Sequence, residues 1–189
     1  MSNLKDVAIV VIDMQYDFVG KEAVIPCKAD ESLIASNQKL LAYARESGVP
    51  VIYTQEIHRK SHVDFGRELD RSEPVHCVEG TPGVEIIEEL KPHSTDYVIQ
   101  KRRYSAFFQT DLLVLLKGLG IKTIILTGAA TDVCVRATAT DAQQHDYYVV
   151  VPRECVAGTS AKQHEAALEH IDYVLGRIVS VDELKFTAQ

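Results

Sequence analysis

The sequence predicts a three-layer α/β/α protein, a doubly wound parallel sheet with helices on both faces. Three observations predict it. Short β-branched runs alternate with segments of helical periodicity, the first of those runs is apolar at every position, and glycine or proline stops the helical segments. No internal repeat, low-complexity tract or Pro/Ser-rich linker interrupts the pattern, and 189 residues suit one domain, 1–189, with a single sizeable core.

Val7 to Ile12 is an uninterrupted apolar run, as a strand buried on both faces requires. Asp30 stands at the cap position of a helix that puts Leu33, Asn37, Leu40, Leu41 and Ala44 on one face and stops at Gly48 and Pro50. Val51 to Thr54 is the next strand. A long polar connection with several histidines then runs to about Thr81, and connections of that length often carry function. After Pro82 and Gly83, the spacing of Val84, Ile86, Ile87 and Leu90 predicts a short helix. Tyr97 to Gln100 reads as a strand. Thr110 is placed to cap a helix over Asp111 to Lys117, ending near Gly118 and Gly120. Lys122 to Thr127 is a strand, and Thr131 or Asp132 opens a helix to about His145. Tyr147 to Val151 is a strand, Ser160 caps a helix through about Leu175, and Arg177 to Val181 reads as the last strand. In such sheets ligands bind at the carboxyl ends of the strands, so the residues just past those ends are the candidates for chemistry.

Composition excludes several classes. The formal net charge is -7 and no Lys/Arg run is long enough for a phosphate-backbone footprint, so nucleic acid is not an expected partner. The longest apolar stretch, Val7 to Ile12, is far too short to span a bilayer. Met1 to Asp6 contains no basic segment followed by a long apolar one, so no signal peptide is read there. Cys27, Cys77, Cys134 and Cys155 form no CxxC pair, which argues against a zinc ribbon or a disulfide scaffold; a reducing cytoplasm is the expected compartment.

The first strand runs out into Asp13 within IDMQYDF, where a dinucleotide fold would carry a glycine-rich turn. Taken alone, a carboxylate there reads as a solvated turn residue. Complementary groups at other strand ends give it chemical weight. Lys101 follows the strand ending at Gln100, ahead of Arg102 and Arg103. Such a triplet is commonly a solvated basic edge, yet a lysine first after the apolar run can lie beside Asp13 and hold a nearby anion. Phe107 and Phe108 read as core, and Tyr104 as core or pocket.

The segment Leu126 to Val135, LTGAATDVCV, is the strongest local feature. A strand ends, small residues allow a tight turn, and a helix begins with Cys134 in its first turn. Free N–H groups and partial positive charge at a helix start lower a thiol's pKa and can hold an oxyanion. Cys27, Cys77 and Cys155 have no such position and read as small buried hydrophobes.

IDMQYDF, KRRYSAFF and TGAATDVCVRATATDA resemble, in order, the three catalytic signatures of the isochorismatase-like cysteine hydrolases, and the similarity extends from about Val7 to Val181. That superfamily includes nicotinamidases, N-carbamoylsarcosine amidases, and ureidoacrylate and biuret hydrolases. The resemblance implies a six-stranded parallel sheet, assembly into homodimers or homotetramers, a cis peptide just before Ala130, and an oxyanion hole from the N–H groups of Ala130 and Cys134. It also implies a catalytic set of Asp13, Lys101 and Cys134 that needs no cofactor for the nucleophilic step. The expected activity is hydrolysis of a small amide or ureido compound with release of ammonia. True isochorismatases lack a cysteine at this position and cleave a vinyl ether, so Cys134 favours C–N hydrolysis. Phe18 and Tyr104 would stack on a planar substrate, and an acidic one would meet Lys101, Arg102 or Arg103 near the pocket mouth.

Nicotinamidases have a carboxylate two residues before a histidine, and a second histidine in an HCV-like segment, that together bind a divalent metal. By position the resemblance carries those roles to Glu56, His58 and His76, with His62 nearby. One carboxylate plus imidazoles suits zinc, iron or manganese. The family residue at the first position is Asp, one methylene shorter than Glu56, and metal-free relatives also keep an HCVEGTPG-like segment in which the histidine only buttresses the loop. A different class of function, a thiol redox sensor or a silent binding protein on the same fold, would use Cys134 with Cys155 as resolving thiol; such a sensor needs no proton-accepting Asp13.

Overall fold

The computed structural model describes residues 6–186. Most of the segment read as free of a signal, through residue 5, lies outside those residues.

The strands are β1 (Val7–Ile12), β2 (Val51–Glu56), β3 (Tyr97–Lys101), β4 (Thr123–Ala129), β5 (Tyr148–Pro152), β6 (Val156–Ala157) and β7 (Arg177–Val179). Every pairing is parallel, and the sheet runs β3-β2-β1-β4-β5-β7. The expected six strands form this path. A seventh, the two-residue β6, pairs with the end of β4 at Gly128 and Ala129. It is too short to leave a periodic signal.

The helices are α1 (Tyr16–Val19), α2 (Glu31–Glu46), α3 (Leu112–Gly118), α4 (Arg136–Gln144) and α5 (Ala161–His170). Asp30 caps α2 by accepting from Leu33 N at 3.0 Å, and Leu33, Asn37, Leu40, Leu41 and Ala44 are its buried face. Ser160 caps α5, accepting from Gln163 N. Thr110 accepts from Leu112 N at 3.2 Å, and α3 starts there rather than at Asp111.

β1 shows how the layers form. Val7, Ile9 and Val11 pack with Leu33, Leu40, Leu41 and Ala44 of α2 on one face. Ala8, Val10 and Ile12 pack with Leu112 and Leu116 of α3, Ala139 and Ala142 of α4 and Leu168 of α5 on the other. All six β1 side chains are buried, each valine or isoleucine contributing about 1.5–3 kcal/mol of transfer free energy. Alternation of successive side chains across the sheet thus yields two cores from one apolar run.

Two local expectations are corrected. The segment after Pro82 is two 3₁₀ turns, Pro82–Val84 and Glu88–Leu90, not one helix, because Ile86 between them pairs with Gln15 as an antiparallel bridge. Phe108 is 50% exposed, whereas Phe107 is buried as expected. As expected, Thr131 opens the helical run after β4: Thr131–Val135 is a π-helical turn with Ala130 at its cap position, and it leads into α4, which ends at Gln144. Among the described residues, no helix is long and apolar enough to cross a membrane.

Candidate active site

The chain passes from β1 outward to β2 and β3, then returns to place β4 on the other side of β1. Loops leaving β1 and β4 diverge at this point, which opens a crevice at the carboxyl end of the sheet. Asp13 leaves β1 and Cys134 follows β4. Ile12 is the register partner of Gly128, and Glu56 is that of Lys101, so the sheet itself brings these groups together. Gly128 has φ +102°, and a Cβ there would stand 2.0 Å from Ile12 O; only glycine permits this approach. The Ala129–Ala130 peptide is cis.

Asp13 is buried with a left-handed φ of +45°, a conformation sparsely populated by non-glycine residues. Thr54 sets it: its hydroxyl donates to Asp13 Oδ1 at 2.7 Å and accepts from Asp13 N at 3.1 Å. Lys101, 1% exposed, places Nζ 2.7 Å from Asp13 Oδ2, 2.6 Å from Glu56 Oε2, 2.9 Å from the Arg103 carbonyl and 3.6 Å from Cys134 Sγ. An ammonium has three protons; Nζ donates to Glu56 Oε2, the Arg103 carbonyl and Cys134 Sγ, and Asp13 Oδ2 is held by charge.

Burial pushes the Lys101 pKa down, but Asp13, Cys134 and Glu56 more than reverse that and keep it an ammonium. Burial raises the Asp13 carboxyl above its ordinary value, against the pull of Lys101. Burial likewise raises the Cys134 thiol, with Lys101 opposing and Asp13 and Glu56 reinforcing. The lowered thiol pKa expected from the helix start is therefore not the resting condition; the sulfur rests as a thiol beside an unusually basic carboxylate. Asp13, with a carboxylate oxygen within 4.8 Å of the sulfur, is the group placed to accept that proton.

The turn carrying Cys134 is anchored from outside. Asp132 accepts from Thr159 N at 2.9 Å and Thr159 Oγ1 at 2.6 Å, and the Thr131 hydroxyl lies 2.9 Å from His164 Nδ1. These bonds tie the helical turn ahead of α4 to the start of α5.

Glu56 Oε1 lies 2.9 Å from His76 Nε2 and 3.5 Å from His58 Nε2, and Glu68 Oε2 lies 3.9 Å from His58 Nε2. The expected trio thus converges and gains Glu68, which sequence reasoning missed; His62 is not in the group. Their four ligand atoms lie within 4.8 Å of one another, and among the described residues Glu68 Oε2 and His58 Nδ1 have no hydrogen-bond partner. Two imidazoles and two carboxylates form a suitable donor set for zinc, iron or manganese, and spacings of roughly 3.4 Å are what ligands around one such ion require. The residues fit a divalent metal. Burial alone would raise Glu56, yet Lys101, His58 and His76 hold it well below the ordinary glutamate value. Burial would lower His76, but Glu56 raises its pKa to about 9.

Gln15 and Thr54 were also missed. Gln15 donates to Glu56 O at 2.8 Å and Val84 O at 2.7 Å and accepts from Glu56 N at 2.8 Å. Phe18, Tyr104, Ala130 and Cys134 line one cavity of about 40 Å³ with Cys27, Glu56, Glu68, Glu73 and His76. Arg102 and Arg103, expected near its mouth, turn instead to Asp64: Arg102 Nε lies 3.1 Å from the carboxylate and Arg103 donates to the backbone carbonyl.

The sheet order and this buried group define an α/β/α protein with a thiol, a carboxylate and an ammonium gathered at the carboxyl end of its sheet. Residues 7–183 match the family model of the Isochorismatase domain. The chain is 34% identical to maleamate amidohydrolase of Pseudomonas putida over 92% of its own length and 82% of that protein. Among solved structures it resembles an isochorismatase-like hydrolase from Alkaliphilus metalliredigens at 39% identity and TM-score 0.86, covering 94% of this chain and 96% of that one. It also resembles the pyrazinamidase of Pyrococcus horikoshii in complex with zinc at 32% identity and TM-score 0.84, covering 93% and 99%. The chain belongs to the isochorismatase family.

Proposed function

We propose that the protein hydrolyses the C–N bond of a small amide or ureido compound through a thioester on Cys134, releasing ammonia. The observation that carries this reading is the single ammonium of Lys101 standing 2.7 Å from Asp13 and 3.6 Å from the Cys134 sulfur. Asp13 takes the thiol proton as the sulfur attacks the carbonyl carbon, and Lys101 steadies the resulting anion. The N–H groups of Ala130 and Cys134, at the start of a helix, receive the oxyanion. Asp13 returns the proton to the leaving nitrogen as the tetrahedral intermediate collapses to the thioester. Water, deprotonated by Asp13, then frees the acid and regenerates the thiol. Phe18 and Tyr104 flank the acyl group. A divalent metal held by Glu56, His58, Glu68 and His76 would supply a Lewis-acidic seat for a lone pair of the substrate.

An ammonia-coupled screen over nicotinamide, pyrazinamide, biuret, triuret, N-carbamoylsarcosine and ureidoacrylate tests the reading. Turnover of a compound in that panel is expected, and Cys134→Ala should lower kcat by about a thousandfold or more. Undiminished turnover in that variant would overturn the nucleophile assignment.

A further inference from the structure

Arg102 and Arg103 are not in the lining of the active-site cavity; they line a different one, of about 440 Å³, at the carboxyl end of β3. The two cavities share no lining residue. Lys101 belongs to both neighbourhoods: its side chain is buried against Asp13 and Glu56, and its carbonyl accepts from Arg102 Nη1 at 3.4 Å. The volume falls within the roughly 300–1,000 Å³ of small-molecule sites, and the end of a parallel sheet is where such sites form.

Three guanidiniums, of Arg59, Arg102 and Arg103, line this cavity with a single carboxylate, Asp64. Asp64 Oδ2 lies 2.8 Å from Arg59 Nη1 and 3.1 Å from Arg102 Nε. Arg103 reaches no carboxylate among the described residues; its Nη1 donates to the carbonyls of Asp64, at 2.6 Å, and of Arg102. Those bonds pin the loop at Asp64, yet they leave the Arg103 charge without a counter-ion. The lining therefore holds two uncompensated positive charges, in a chain whose formal net charge is -7. Such a patch attracts anions against the field of the whole molecule. Phe108, 50% exposed, stands in the same lining and offers a ring to an organic ligand.

We propose that this cavity is a second small-molecule site, separate from the thiol, and that it binds a phosphate group, free or esterified, with Phe108 flanking the organic part of an ester. A phosphate monoester carries about -1.5 to -2 charges at neutral pH, which matches the surplus of the lining. Planar guanidinium forks also meet phosphate oxygens two at a time. A monocarboxylate would neutralise only half of that surplus. The bound anion would communicate with the active site through one atom. The Arg103 carbonyl accepts from Lys101 Nζ at 2.9 Å, so the residue that holds the ligand also holds the ammonium beside Cys134.

Inorganic phosphate, phenyl phosphate and acetate are titrated into the protein as purified, by calorimetry at one ionic strength set with chloride. At least one phosphate should bind with a Kd below about 1 mM, about tenfold or more tighter than acetate. The same affinity is expected in Cys134→Ala. Arg102→Gln and the more exposed Arg59→Gln should each weaken binding about tenfold, with melting temperatures that show both variants folded. Tighter binding of phenyl phosphate, lost in Phe108→Ala, identifies an ester as the ligand, and equal affinities identify free phosphate. Binding only above about 10 mM, acetate as tight as phosphate, loss of affinity in Cys134→Ala, or indifference to both arginine substitutions would each overturn the proposal.

Discussion

Glu56 and Lys101 meet at 2.6 Å, Oε2 to Nζ, and this contact joins the thiol group to the imidazole cluster. The other oxygen of Glu56 faces His76 at 2.9 Å, so one carboxylate serves both sides. Lys101 in turn compensates two buried carboxylates, Asp13 and Glu56.

Lys101→Met should therefore cost about 3–5 kcal/mol of stability and abolish turnover, because both carboxylates lose their cation. With the ammonium gone their pKa values rise, so the variant should regain part of its stability as pH falls from neutral toward the carboxylate range. Urea midpoints at two pH values measure this; a midpoint equal to wild type at neutral pH would contradict the assigned role.

Thr54→Val keeps the shape but removes both bonds to Asp13, at a cost of about 1–3 kcal/mol. The Thr54 hydroxyl lowers the Asp13 pKa, so its loss raises that pKa further. The acid limb of the kcat/KM profile should move to higher pH. If stability falls and the limb stays still, Thr54 acts on the fold alone.

Zinc should bind to the cluster of Glu56, His58, Glu68 and His76 and release a proton. His76 carries one until about pH 9, and a ligand must give it up. Affinity is expected to rise with pH through that value, by calorimetry in buffers of different ionisation enthalpy, and to fall in Glu68→Gln. Without metal the sign for folding is opposite. The His76 pKa is raised from 6.5 to about 9, so the Glu56 pair contributes its full stability below 6.5 and loses it as pH climbs through 9.

Gly128→Ala should destabilise the fold by at least about 3 kcal/mol, since the new Cβ meets the β1 backbone at 2.0 Å and the φ of +102° is adverse. A thermal melt within two degrees of wild type, about 0.5 kcal/mol, would contradict the close approach.

What was legible in the sequence was whatever a period or a cap announces. β1 reads from its apolar run and α2 from the spacing of five buried positions behind Asp30. Asp13, Lys101 and Cys134 were legible as strand-end residues inside recognisable segments. Glu68 was not, because it sits in an aperiodic polar connection where no neighbour distinguishes it. Thr54 and Gln15 make their contacts only through the alignment of separate strands. The apolar spacing from Val84 to Leu90 mimics a helix, and only the partner of Ile86, Gln15 just past the carboxyl end of β1, decides otherwise. Arg102 and Arg103 are misjudged for the same reason: Asp64, which captures them, lies 38 and 39 positions away.

The side-chain amide of Gln15 is fully engaged with main-chain atoms of two separate segments, at Glu56 and Val84. The segment leaving β1 is consequently pinned to the end of β2 and to the Pro82–Val84 turn, with no adjustable rotamer to exploit. Retargeting the protein to another molecule is a task for the side walls at Phe18, Glu73 and Tyr104, and an engineer who mutates those while sparing Gln15 keeps the chemistry and changes only what is admitted to it.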